Sequence, residues 1–300
     1  GMSGNNVKIL LDGMPLIDRG ATKQSLSQLD VNSIERVEIV EGPMSVVYGT
    51  DALAGVINII TKKGDGYSEE NTWRVGARVQ EESMGKEYDF FKDKGLHNES
   101  IDLGFNHKSG LFVNGGYTRN NHGGWQGDLT GREKRWHPKD QALMNGMFGC
   151  QNRNMNVWYR LDFLDEKSVG PNNGSELQPE KVSDKDFLTK RYTHQLQSDW
   201  KLDNRLDVHA ALSYQDYKRR TRTTESDLST GEKWLSSAEA SQDITQYKAW
   251  IARATVVWNI APEFSVQPGV EYQWTQGEGG RIDGKPKDSD PAFFLSADYT

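Results

Sequence analysis

The sequence predicts a mostly β fold, a transmembrane antiparallel β-barrel of about ten strands led by a small α+β domain. Three observations carry this. Beyond Thr72, apolar and polar residues alternate with a period of two, and aromatic residues often close the apolar rows. The links between these segments are alternately tight and long. The composition is low in hydrophobic residues (35%) yet holds 9 Trp, 11 Tyr, 10 Phe and 30 Gly, which suits sheets with one apolar face better than an oily core.

The opening segment reads as strands and short helices. Val7–Asp12 is a buried-strand run closed by the turn dipeptide Asp12-Gly13. Gln24–Leu29 is a short helical segment, and Asp30 is placed to cap a turn over Val31–Glu35. Arg36–Val40 returns to a strand, which Gly42-Pro43 ends. Pro43 and Gly49 bracket a helix of one or two turns. Val56–Thr61 is a third strand, and the polar run 62–66 is a linker. A unit this small is insecure by itself. The expected division is therefore 1–66 and 67–300.

In the second part, Met155, Val157, Tyr159, Leu161 and Phe163 share a face opposite Asn156, Arg160 and Asp162. Leu206, Val208, Ala210, Leu212 and Tyr214 repeat the pattern, as do Trp250, Ala252, Ala254, Val256 and Trp258. In Phe264–Trp274, Val266, Val270 and Tyr272 oppose Gln267, Gly269 and Glu271. Apolar rows tipped with Trp or Tyr are what a lipid-facing strand presents, and backbone groups in lipid require the sheet to close on itself. Ten strands are expected, near 73–80, 100–107, 111–120, 142–151, 155–165, 189–201, 205–218, 245–259, 263–276 and 292–299. A soluble sandwich also alternates, but it does not require long links on one rim and tight links on the other.

Several function classes are set aside by what the chain carries. The net charge of −7 opposes general nucleic-acid binding. Cys150 is the single cysteine, so no internal disulfide forms, and no zinc-type Cys/His spacing occurs. No nucleophile elbow or phosphate-binding glycine loop is present, and Glu35, Glu38 and Glu41 read as solvated or ion-paired rather than catalytic. Neither an enzyme nor a resident cofactor or metal is expected. His122, in the long Asn120–Asp140 loop, reads as a polar loop residue or as a contact to a haem or metal chelate. Asp283, Asp288 and Asp290 lack calcium-loop spacing and read as solvated surface.

The run Ile34–Gly49 (IERVEIVEGPMSVVYG), continued by Asp51–Thr61 (DALAGVINIIT) and preceded by Leu11–Pro15 (LDGMP), resembles the plug signature of TonB-dependent receptors. The resemblance implies a plug seated in a barrel of about 22 strands, so that 1–66 is the C-terminal half of a plug and 67–300 is the first part of a larger, truncated barrel. It implies a site in the outer membrane of a Gram-negative bacterium, with any export signal upstream of Gly1-Met2. TonB would act through an N-terminal plug segment that this sequence does not include. The expected cargo is a bulky small-molecule ligand, namely a ferric siderophore, haem or corrinoid; a glycan receptor or a non-transporting binding or adhesion barrel is the alternative. Asp18, Arg19, Tyr48 and Asp51 are implied ligand-facing plug residues, joined by His209, which alternates onto the lumen face. Where many relatives place Lys or Arg before the Gly-Pro, this chain has Glu41. That leaves Arg36 as the plug residue for an ion pair with the wall, with Glu271 as its expected partner.

Overall fold

The computed structural model describes residues 7–16, 27–41, 55–64, 70–90, 94–280, 282 and 284–299. They form two sheets. The first has the order β2-β1-β4-β3, with β1 Val7–Leu11, β2 Met14–Pro15, β3 Ile34–Glu41 and β4 Gly55–Thr61. β1 runs parallel to β4, and the other pairs are antiparallel. Asp12 and Gly13 both take positive φ (49° and 81°), the left-handed pair that a two-residue hairpin turn needs, so the chain reverses after Leu11. β2 is the strand that the sequence did not suggest: it has two residues and contains Pro15, which only an edge strand tolerates. Asp30 caps the single turn of 3-10 helix at Val31–Ser33, where its side chain accepts from the Asn32 amide. The core of this unit is Ile9, Leu11 and Ile59. The expected helix at 43–49 and most of that at 24–29 lie outside the described residues.

The second sheet is a continuous antiparallel meander: β5 Thr72–Glu82, β6 Leu96–Asn106, β7 Leu111–His122, β8 Lys139–Gln151, β9 Met155–Gly170, β10 Lys181–Lys201, β11 Leu206–Asp227, β13 Ile244–Ala261, β14 Phe264–Gly279 and β15 Lys287–Tyr299. A three-residue β12, Lys233–Leu235, pairs with β11 inside a long link. Each of the ten expected strands is present. The tight links span 107–110, 152–154, 202–205 and 262–263, and the long ones fill the opposite rim. At the first tight link Gly110 takes φ +91°, and a Cβ there would sit 1.9 Å from the Gln151 carbonyl oxygen, so glycine is required.

The strands run well past their expected ends on the long-loop side. β10 begins at Lys181 rather than near Thr189, and β11 continues to Asp227. The pairing Lys181↔Asp227 through Thr189↔Arg219 is unbroken, although these residues, Val182, Phe187 and Leu188 apart, are polar on both faces. Apolar alternation therefore ends before the backbone ladder does. At the tight-turn end of β13 the register shifts between Asn259 and Ala261, so the strand passes Asn259 and the turn is Pro262-Glu263.

The two faces differ as alternation predicts. Trp73, Val75, Leu103, Val113, Phe148, Leu196, Trp250, Trp258 and Val270 are exposed on the outer face. Gln141, Met147, Trp158, Arg160, Thr193, Gln195, Gln197, Ser213 and Gln215 are buried on the inner face, where the small sheet lies.

Candidate functional site: the plug seam and the mouth above it

The inner wall holds the small sheet mainly through side chains that donate to its main chain. Gln195 and Gln197 of β10 donate to the carbonyls of Leu11 (3.1 Å) and Asp12 (2.7 Å), and Gln215 of β11 donates to that of Pro15 (2.6 Å). Those carbonyls belong to β1, its turn and the edge strand β2. Arg191 reaches the Gln28 carbonyl (2.9 Å), and Gln141 reaches that of Ser27 (2.8 Å). Gln28 in turn donates to Glu166 of β9 (2.9 Å). Among apolar contacts, Met14 packs on Ala211 and Ile251, and Gly64 lies so close to Phe112 that a Cβ would come within 2.6 Å of the ring. Two cavities of about 20 Å³, each the size for one water, lie along the seam beside Asp30.

A charged cluster sits in the same seam. Arg160, 2% exposed, forks onto Asp162 with Nε at 2.7 Å and Nη2 at 2.6 Å. Asp12 and Asp30 of the small sheet are its further electrostatic partners. Asp12 is held by Lys63 (2.8 Å) and the Thr61 hydroxyl (2.7 Å), and Lys63 also stacks over the Trp158 ring at 5.2 Å. Asp30 accepts from Thr118 (3.0 Å) and Asn145 (3.3 Å) of the wall.

Burial pushes the Asp30 carboxyl above its ordinary value, against the hydrogen bonds from Thr118 and Asn32 that lower it. A carboxyl raised in the folded state adds stability below its unfolded pKa of about 4, and that contribution is lost as pH rises through the folded value. Asp30→Asn, uncharged at every pH, is expected to flatten the fall in stability from about pH 4 toward neutrality. Unfolding midpoints of the full-length protein across that range test this; an unchanged pH profile contradicts it.

Above the seam, on the long-loop rim, lies a cavity of about 550 Å³ lined by residues including His122, Arg135, Trp136, His137, Lys139 and Gln141. Trp125 and Trp136 pair their backbones and pack ring against ring at a tilt of 56° with centroids 5.3 Å apart, and His122 lies 6.2 Å from Trp136. Arg132 clamps this loop to β10 by bonding Asp184 at 2.6 and 3.0 Å, and to the next loop by donating to the Asn172 carbonyl at 2.9 Å. Lys134 ties it to Glu87 of the first long link. Gln141 belongs to both regions, since it lines the cavity and bonds Ser27 below it.

The expected site residues fare unequally. Asp18, Arg19, Tyr48 and Asp51 lie outside the described residues. His209 faces inward, but it lies near the tight-turn rim, away from the mouth, and pairs with Asp199 at 2.5 Å. The expected Arg36–Glu271 pair does not form. Arg36 is exposed and engages Glu35 and Glu38, because all three stand along solvent-exposed β3. Glu271 binds Arg253 (2.9 Å), its register partner on the neighbouring strand, which leaves no free carboxylate for the plug. The wall's charged partners of the small sheet are instead Arg160, Arg191 and Glu166. His122 was the one mouth residue singled out from sequence; the density of Trp, His, Arg and Lys over 122–139 was the signal for the others. Asp288 and Asp290 lie in β15 rather than in a loop, and both are exposed. Among the described residues no three His, Cys, Asp or Glu side chains gather into a metal site.

Comparison with known proteins assigns the opening segment. The TonB-dependent receptor plug domain model matches residues 1–56. That segment belongs to this plug-domain family. The vitamin B12 transporter BtuB of Vibrio vulnificus is 42% identical over 77 residues, covering 26% of this chain and 12% of that protein. The ferrienterobactin receptor of Escherichia coli is 40% identical over 76 residues, covering 22% and 10%. Among solved structures, the ferric enterobactin receptor PfeA of Pseudomonas aeruginosa superposes with a TM-score of 0.65 at 15% identity, over 99% of this chain and 48% of that one. The ferric yersiniabactin receptor FyuA of Yersinia pestis gives 0.55 at 14%, over 97% and 52%. These structures show the fold, and this chain spans about half their length. The small sheet is thus plug and the meander is barrel wall.

Proposed function

We propose that the full-length protein takes up a bulky anionic ligand across the outer membrane, with energy delivered by TonB through the plug. Residues 1–66 are read as the C-terminal half of that plug and 67–300 as barrel wall. The single observation that carries the reading is Gln141. It lines the cationic, aromatic mouth cavity and also holds the plug main chain at Ser27, so a ligand displacing it acts on the seal. Arg135 and Lys139, each of which also meets a carboxylate (Asp128 and Glu166), favour negative charge, and the tilted Trp125–Trp136 pair favours a planar, aromatic ligand. Ferric siderophores of catecholate type and haem have that chemistry, and two similar proteins, the ferrienterobactin receptor and PfeA, are receptors for ferric enterobactin.

The test is titration of the full-length protein with a ferric catecholate siderophore, haem and cobalamin, followed by tryptophan fluorescence. Expected is quenching by an anionic ligand, with affinity lowered about tenfold or more by Trp136→Ala combined with Arg135→Gln, in keeping with a loss of about 1.4 kcal/mol or more. Unaltered affinity in that variant, or uptake that continues without TonB, contradicts the proposal.

A further inference from the structure

Asn173 lies on the link between β9 and β10 and does not line the mouth cavity, yet its side chain bonds the main chain of the neighbouring long link. Its Oδ1 accepts from the Arg132 amide (2.7 Å), and its Nδ2 donates to the Thr130 carbonyl (3.0 Å). The two bonds copy what a paired strand residue would give to 130–132. Gly131 stands between them with φ +72°, and a Cβ there would sit 2.3 Å from Asn173 Oδ1, so only glycine allows the approach. The receiving link is itself fixed. Asp184 of β10, already forked by Arg132, accepts from the Asn172 amide (3.1 Å), and Asn172 Nδ2 donates to the Ser183 carbonyl (2.6 Å).

Residues 130–132 are the tip of a hairpin whose returning arm carries Arg135 and Trp136. Its base is the pair of backbone bonds between Trp125 and Trp136 (2.9 and 3.0 Å). Inside it, Gln126 donates to the Gly131 carbonyl (2.8 Å), and a Cβ on Gly127 would lie 3.4 Å from Arg135 Cδ. On the other flank Lys134 meets Glu87 (3.4 Å). The Arg132 and Asp184 side chains are 35% and 22% exposed, so their ion pair alone is weak in water. It is the convergence of side-chain and main-chain bonds on three residues that fixes the tip. Releasing the tip lets the hairpin pivot, and Arg135 and Trp136 move with it.

We propose that Asn173 is a positioning residue for ligand capture, setting the 125–136 hairpin before the ligand arrives. The inference rests on the uptake reading above and names what holds its binding wall in place. A preset wall removes ordering that binding would otherwise have to include. With the hairpin in place for only about one-fifth of the time, apparent affinity falls about fivefold.

The experiment compares full-length wild type, Asn173→Ala and Asn173→Asp, with resistance to unheated SDS reporting an intact barrel. Hydrogen exchange of amides 125–136 is read first without ligand, and is expected to be about tenfold or more faster in Asn173→Ala. Stopped-flow tryptophan fluorescence then follows binding of a ferric catecholate siderophore, haem or cobalamin. Wild type should bind in one phase whose rate is linear in ligand concentration. Asn173→Ala should bind about fivefold more weakly and add a slow phase whose rate does not depend on ligand concentration. Asn173→Asp still accepts from the Arg132 amide but no longer donates to Thr130, and should fall between the two. Unchanged exchange in Asn173→Ala, or faster exchange with wild-type affinity and a single phase, overturns this inference alone. A wild type that binds none of the three probes sinks the uptake reading beneath it.

Discussion

Arg160→Met is expected to destabilise the full-length receptor by about 3–5 kcal/mol, the usual cost of leaving a buried charge without its partner. Arg160 is almost fully buried, and both of its bonding nitrogens are committed to Asp162. Asp12 and Asp30 of the plug also rely on its field. Removing it leaves three carboxylates around one seam, with only Lys63 as a direct cation on one of them. Arg160→Lys keeps a charge but loses the planar fork, and an intermediate loss is expected. Arg160→Met combined with Asp162→Leu removes the pair together and should recover most of the stability, because an apolar replacement of a whole buried pair is often close to neutral. Denaturant midpoints for the three variants decide the matter. Equal midpoints for wild type and Arg160→Met contradict the role given to the cluster.

Changing Gln195, Gln197 and Gln215 together to leucine should open the seal without unfolding the wall. Each glutamine satisfies a plug carbonyl that is otherwise cut off from water. Each orphaned carbonyl costs about 1–3 kcal/mol, and all three fall on one edge of the small sheet. The three residues sit on adjoining strands and share partners, since Gln197 also donates to Gln195, so the effects should not simply add. The expected result is increased influx of a large antibiotic through the full-length protein, with barrel resistance to SDS retained. Leu196→Ala, on the outer face between two of these positions, is the control and should leave influx unchanged. Wild-type influx in the triple variant contradicts the proposed anchoring.

Much of the wall was legible in the sequence, and the reason is physical. Where a strand has lipid on one side and plug or water on the other, burial forces the period of two, as in Met155–Phe163 and Trp250–Trp258. Beyond the lipid both faces are mostly polar, the alternation fades, and backbone pairing continues; the extensions Lys181–Leu188 and Arg219–Asp227 were missed for that reason. β2 was missed because two residues containing a proline carry no periodicity. The Asp30 cap was readable because capping is local chemistry between neighbours in sequence. The Arg36–Glu271 pair failed because charge type gives no distance: in-strand neighbours captured Arg36, and a register partner captured Glu271. The glutamine contacts were hidden for a related reason. A buried glutamine facing a plug carbonyl and a solvated glutamine facing a lumen occupy the same alternate position in a strand.

The most direct test of the central claim, that one face of this sheet meets lipid while the other grips the plug, is a cysteine scan of residues 249–258 on β13. It uses the full-length protein in a Cys150→Ser background, with spin labels read for access to oxygen and to a water-soluble nickel chelate. Labels at 250, 252, 254, 256 and 258 should show high oxygen and low nickel access, and labels at 249, 251, 253 and 255 should be shielded from both. Loss of that alternation, or even-numbered positions shielded from lipid, contradicts the claim.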